Sequence, residues 1–165
     1  MKLPNLEIAR EDRAFVATLV FDAPRAMVWR VYTNPDLIPR WWGPRRLTTR
    51  VDKMDVRVGG AWRYIQTDAD GNNYAFNGAY LEVDAPNKLV STFEFEGMPG
   101  QIMTETVTFE DLSAGGTKVT SRSSVDSPEA FEAMVQPGME EGALETWERL
   151  GELLAAVRAE SAAAE

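Results

Sequence analysis

The chain contains neither histidine nor cysteine. A Ser-His-Asp triad, a thiolate nucleophile and an imidazole base are therefore excluded. Zinc sites built from thiolate and imidazole go with them, and so does any disulfide. No metal or cofactor is expected. What chemistry remains must come from carboxylates, Arg, Lys, Tyr, Ser or Thr. Among these Glu105 is the most informative. In Ile102–Asp111 a period of two places Met103, Glu105, Val107 and Phe109 on one face and a row of threonines on the other. In residues 116–125, Val119 and Val125 share a face with Ser121 and Ser123. Pairing Val107 with Ser121 and Glu105 with Ser123 makes the apolar faces agree. Pairing Phe93 with Glu105 and Phe95 with Met103 extends that face across residues 88–96. Glu105 then sits among Phe, Met and Val. A carboxylate there must be hydrogen-bonded, paired or protonated, unless a bulge turns it to solvent. It serves as a ligand's polar anchor or as an acid with a raised pKa.

The partner of Glu105 depends on one turn. A two-residue Asp70-Gly71 turn places Trp62 and Tyr64 with Ala75, Asn77 and Leu81. A three-residue loop, Ala69-Asp70-Gly71, places them with Phe76, Gly78 and Tyr80. A slip of one residue exchanges the faces, so either Arg63 or Trp62 and Tyr64 look inward. The spacing Gln66-x-Asp68-x-Asp70-Gly71 has a calcium-loop flavour, but Gln66 and Asn77 stand where Asp and a bidentate Glu belong, and a hairpin turn is the better reading. Gly59-Gly60 leads into a strand and is no phosphate loop. The acidic run from Glu140 to Glu152 lies at helical spacing and reads as a solvated face.

These residues require elements to carry them. Residues 1–12 read as a polar lead-in. Ala14–Phe21 is rich in β-branched and aromatic residues and reads as a strand. Asp22-Ala23-Pro24 follows as a helix start, with Asp as the cap, and the helix runs to about Thr33 with Val28, Val31 and Tyr32 inward. Asn34-Pro35 and Pro39 set a second short turn ending in Trp41-Trp42-Gly43-Pro44. Six strands follow at about 47–57, 61–68, 73–83, 88–96, 102–111 and 116–125. Ser127-Pro128 opens a helix that Pro137-Gly138 interrupts. A longer helix runs from about Met139 to Glu160, with Met139, Ala143, Trp147, Leu150, Leu154 and Val157 on one face. The single domain spans 13–160, with 161–165 a tail. Seven twisted antiparallel strands of this length curl around one long helix, leaving a container that the short helices plug.

Composition agrees with this. The chain has 165 residues, 44% of them hydrophobic, and a formal charge of −9. Such acidity argues against nucleic-acid binding. No run approaches a membrane span or a signal peptide, so no membrane insertion and a cytoplasmic location are expected. A homodimer is compatible with the sequence.

The order βααββββββα resembles the α+β helix-grip fold of the START-like (SRPBCC) superfamily. Within it the chain is similar to the branch related to the C-terminal domain of the activator of Hsp90 ATPase. The residues that carry this are Ala23-Pro24-Arg25-x-x-Val28-Trp29, Trp41-Trp42-Gly43-Pro44, Asp55-x-Arg57-x-Gly59-Gly60-x-Trp62-Arg63, Phe76-x-Gly78-x-Tyr80-x-Glu82, Glu105-Thr106-x-Thr108-Phe109 and Gly138-Met139-Glu140-x-Gly142, with Arg149-Leu150 behind them. The resemblance covers residues 13–155. It implies a curved seven-stranded antiparallel sheet around a long C-terminal helix, and a deep cavity between them for a hydrophobic small molecule. Some members of the superfamily catalyse cyclisation or dehydration, which here would use Glu105 as acid–base with Arg63 or Tyr64 polarising a carbonyl. A chaperone-interacting module is a third reading, and the lack of a second domain speaks against it. Trp42, Trp62, Tyr64, Phe76, Phe93, Phe95, Glu105, Met139 and Trp147 are the expected cavity residues, with Trp42 guarding the mouth.

Overall fold

The structure, a computed structural model, describes residues 7–11, 13–134 and 139–164, with side chains over 13–132 and 141–161. The elements follow in the order β1 (Glu7–Glu11), β2 (Ala14–Phe21), α1 (Arg25–Thr33), a 3-10 turn (Ile38–Arg40), β3 (Thr48–Met54), β4 (Ala61–Thr67), β5 (Asn73–Asp84), β6 (Lys88–Phe95), β7 (Ile102–Asp111), β8 (Thr117–Ser124), α2 (Pro128–Met134) and α3 (Met139–Ala164). The strands form one antiparallel sheet ordered β1-β2-β8-β7-β6-β5-β4-β3. The connection from β2 to β3 crosses from one side of the sheet to the other, carrying α1 and the 3-10 turn. This is the helix-grip fold, with the seven expected strands in place.

Three local expectations need correction. Residues 7–11, read as a lead-in, form an eighth strand along β2, with Ala9 opposite Val16. Their polar composition concealed it, since an edge strand need not alternate. Helix α1 takes Pro24 as its N-cap, with no side-chain cap, so Asp22 does not cap it. The tail residues 161–164 continue α3. At the start of α2, by contrast, Ser127 Oγ accepts the Ala130 N–H at 3.0 Å, as the Ser-Pro pair implied. The interruption expected at Pro137-Gly138 lies outside the described residues.

Helix α3 lies against the concave face. Leu150, Leu153, Leu154 and Val157 are at most 4% exposed, and with Leu19, Phe21, Val28, Val31, Phe109 and Val119 they form a dry core. Full burial of each such side chain is worth roughly 1.5–3 kcal/mol. The same helix face changes character one turn before Leu150. Ala143 and Trp147 are only half-buried and look onto a hollow instead of a packed layer. Thus one amphipathic stripe is a core face along part of its length and a roof along the rest.

Two bulges help the sheet to curl. One lies between Val51 and Lys53 and the other between Tyr80 and Glu82. The second shifts the side-chain alternation in β5. Phe76, Gly78 and Tyr80 face inward, but beyond the bulge Val83 does, while Leu81 is 52% exposed. Among the described residues no helix is long and apolar enough to cross a membrane.

Candidate functional site

The loop between β4 and β5 decides which side chains reach the hollow. Asp68 N–H bonds the Asn72 carbonyl, leaving three residues between them, and Tyr64 therefore faces Phe76 while Trp62 faces Gly78. Trp62 and Tyr64 point inward. Arg63 lies on the outer face, where it pairs with Glu96 at 2.8 Å and Asp52 at 3.2 Å. It is thus no partner for Glu105 and cannot polarise a carbonyl inside. Those bonds hold its guanidinium above its ordinary pKa and Glu96 down at about 2. The same turn removes the calcium reading. Both Asp68 carboxylate oxygens accept bonds from within the turn, from the Asp70 and Asn72 N–H groups, the Asn72 amide and the Tyr74 hydroxyl. They hold Asp68 at about 2. Among the described residues no cluster of three or more candidate ligands could hold a metal ion.

Gly78 is required by this arrangement. A Cβ on it would lie 2.5 Å from the Trp62 indole nitrogen and 1.9 Å from the Thr92 carbonyl. Its missing side chain lets the indole lie on the strand. The aromatic wall then builds outward. Trp62 and Tyr64 have ring centroids 4.6 Å apart, and Phe76 lies 5.5 Å from Phe93 and 5.0 Å from Phe95. Trp42, expected at the mouth, is part of the wall itself. It stands edge-on to Tyr64 at 5.0 Å and to Phe76 at 5.3 Å.

Trp42 is placed by a bonded frame that sequence reasoning missed. Arg149 of α3 donates to the Gly43 carbonyl at 2.7 Å and, at 3.4 Å, to those of Trp42 and Pro39. Thr49 Oγ1 donates to the Trp42 carbonyl at 2.8 Å, and Gln66, 3% exposed, donates to Thr49. Gly43 has φ +88°, and a Cβ there would fall 1.8 Å from the Gln66 amide nitrogen. Arg45 is held to α3 by Glu145 and Glu152, so part of the acidic face read as solvated is a clasp. The available signal was the pairing of two breakers, Gly43-Pro44, with an arginine in the middle of the acidic stretch of α3.

The hollow, partly open to solvent, measures about 550 Å³. Trp42, Trp62, Tyr64, Phe76, Phe93, Phe95, Glu105 and Trp147 all line it. The side chain of Met139 lies outside the described residues. Glu105 faces Ser123 across β8, as the alternation required. On the other side it faces Ser91, because β6 and β7 pair with Phe93 opposite Met103, two residues from the expected register. The six residues between Phe95 and Ile102 make a wider loop than anticipated. A shift of two keeps every side chain on its face, so the inward set survives the error.

Glu105 is the sole charged residue among the described ones that line the cavity, and none of them bonds or pairs with it. Its remaining exposure is toward the hollow. Loss of hydration alone pushes its carboxyl up to about 7. The Tyr32 hydroxyl is buried without a hydrogen-bond partner among the described residues. Burial first, and the Glu105 charge second, push Tyr32 well above its ordinary pKa. Tyr64 is raised by burial first and by the neighbouring Tyr80 second. Ser91, Ser121 and Ser123 complete a polar floor beneath aromatic walls. Tyr32 had been placed on the inner face of its helix, but nothing in the sequence linked it to Glu105.

The model of the family described as Activator of Hsp90 ATPase homolog 1-like protein matches residues 22–155. The chain belongs to that family. Solved structures agree with the Hsp90-activator-like assignment. A protein of Arthrobacter aurescens, 26% identical, superposes with a TM-score of 0.84 over 91% of each chain. One of Mycobacterium smegmatis, 27% identical, gives 0.79 over 90% of this chain and 95% of that one. One of Rhodobacter sphaeroides, 22% identical, shares the fold with a TM-score of 0.84 over 92% and 98%. No curated protein matches the sequence.

Proposed function

We propose that this protein binds a hydrophobic small molecule between the sheet and α3. The observation that carries the reading is the hollow of about 550 Å³, walled by aromatics and floored by a few polar groups. That is the composition of small-molecule sites, and its size lies in their usual range. Trp42, Trp62, Tyr64, Phe76, Phe93, Phe95 and Trp147 are assigned as walls and Glu105 as the polar anchor. The test is native mass spectrometry of protein purified from its own host, beside an Ala143→Trp variant that fills the roof. A co-purifying apolar molecule, absent from the filled variant, supports the reading. A molecule retained equally by both places it elsewhere and overturns it.

One observation favours a second reading, a cyclase- or dehydratase-type reaction. A carboxyl near pKa 7 exchanges protons readily at neutral pH, as a general acid–base must. Tyr64 remains as a carbonyl-polarising donor, Arg63 having left the cavity. An NMR titration that finds Glu105 at an ordinary acidic value removes this reading. The chaperone-interacting reading gains nothing from the cavity.

A further inference from the structure

Glu105 and the rings around it form one surface of the hollow. The carboxylate is flanked by Ser91 on β6 and Ser123 on β8, each directly opposite it and each lining the cavity. Phe93 stands opposite Met103, two places along β7, and is therefore the diagonal neighbour of Glu105 on the inward face, within reach of a long side chain. Its ring centroid lies 6.0 Å from that of Trp62 and 6.4 Å from that of Trp42. No described lining residue is cationic, so nothing among them in the hollow balances the acid's charge. A ligand ending in a carboxylate meets a like charge, and an ether or ketone offers an ionised acid no proton. An alcohol donates one bond but leaves the charge uncompensated, and it gains nothing from the ring faces. A cation answers both features, since it neutralises Glu105 and is attracted by aromatic faces.

We propose that the cavity takes apolar molecules ending in a protonated aliphatic amine, seated on Glu105 beside the rings of Phe93 and Trp62, in preference to the matching alcohols and carboxylic acids. This rests on the binding reading above and narrows it to a chemical class. Burying an ion pair ordinarily costs the hydration of both members. Here folding has already dehydrated the acid, so the ligand adds only its own loss, and the opening of the hollow to solvent limits that. An ammonium carries three N–H donors, so one bond to Glu105 leaves others for water or a flanking serine hydroxyl.

The test uses four probes with one body, 2-naphthylmethylamine, 2-naphthalenemethanol, 2-naphthoate and 2-methylnaphthalene, titrated at pH 8 and physiological salt into the whole protein and followed by chemical shifts of the cavity residues. A cation over an aromatic face corresponds to about two- to thirtyfold in affinity, and the ion pair adds to it. The amine is expected to bind at least about tenfold tighter than the alcohol, with naphthoate the weakest. Glu105→Gln is expected to bring the amine within about threefold of the alcohol and to leave methylnaphthalene unchanged. An amine no tighter than the alcohol in the parent, or one that keeps its full lead in Glu105→Gln, overturns the selectivity. So does an amine that shifts only the outer glutamates of α3, which marks attraction to an acidic surface. In each case methylnaphthalene that still shifts the cavity residues leaves the hydrophobic-ligand reading intact. If none of the four shifts them, both fall. The comparison within the parent protein holds even if the variant fails to fold.

Discussion

The Glu105→Gln substitution tests the electrostatics of the cavity without any ligand. It replaces a carboxyl by an amide of nearly equal shape. Folding moves the Glu105 pKa from about 4.5 to about 7. Between those values the unfolded chain releases the proton while the folded one keeps it, so the folded state binds more protons and stability falls as pH rises. Below pH 4.5 both states hold the proton and Glu105 costs nearly nothing. Above pH 7 the full preference for the neutral form, on the order of 3 kcal/mol, weighs against folding. Glutamine carries no such proton. The variant should therefore match the parent within about 0.4 kcal/mol at pH 4.5 and exceed it by about 3 kcal/mol at pH 8. In a domain of this size that gap is roughly 6–12 °C in Tm. Urea unfolding of both proteins across this range measures it, and the difference cancels every other titrating group. Parallel stability profiles at all pH values would show that Glu105 is solvated or paired, and the account of an unneutralised carboxyl would fail.

Removing Arg149 tests the frame behind Trp42. Arg149→Met keeps most of the aliphatic packing but takes the side-chain donor from the Pro39 and Gly43 carbonyls, while that of Trp42 keeps Thr49, and is expected to cost roughly 1–3 kcal/mol in urea unfolding and to increase the mobility of the Trp42 indole by NMR relaxation. Gly43→Ala is expected to destabilise by about 1–2 kcal/mol from the left-handed backbone alone, with a further loss as Gln66 is pushed aside. Asp68→Ala should lower stability at pH 6. Asp68 is held at about 2, so its contribution is present above its unfolded value and fades as pH falls through 4 toward 2, where parent and variant should converge.

The strands β3 to β8 were legible because each is bounded by Gly, Pro, Asn or Asp and alternates within. Glu105 was legible for the same reason, since it interrupts an otherwise apolar inward row. What escaped was set by pairings between distant segments. Whether Arg63 or Trp62 faced inward depended on one residue in the turn 69–71, and either loop length was chemically reasonable. The β6–β7 register slipped by two because the 96–101 loop has no compact turn signature. Here period-two alternation protected the inference, whereas an odd slip would have reversed it. The eighth strand was missed because it answers only to its neighbour β2. No structural role for Arg149 was legible, because the carbonyls it serves lie more than a hundred positions away.

A hollow of this size beside a dry core must be kept open, because collapsing helix onto sheet would gain contacts. Here the resistance comes from the placement of polar bonds. Arg149 ties α3 to the carbonyls of Pro39, Trp42 and Gly43, and Glu145 and Glu152 clasp Arg45 from the same helix. The helix is thereby spaced from the sheet by the Trp41–Pro44 segment, whose own Trp41 indole is fixed to the Val31 carbonyl at 2.9 Å. To close the cavity, α3 would have to break these bonds and press apolar Ala143 and Trp147 onto an unpaired carboxylate. Both changes oppose collapse. The same Glu105 that is costly to bury thus helps to keep the space above it open, which accounts for a destabilising acid in a chain that could have placed a threonine there.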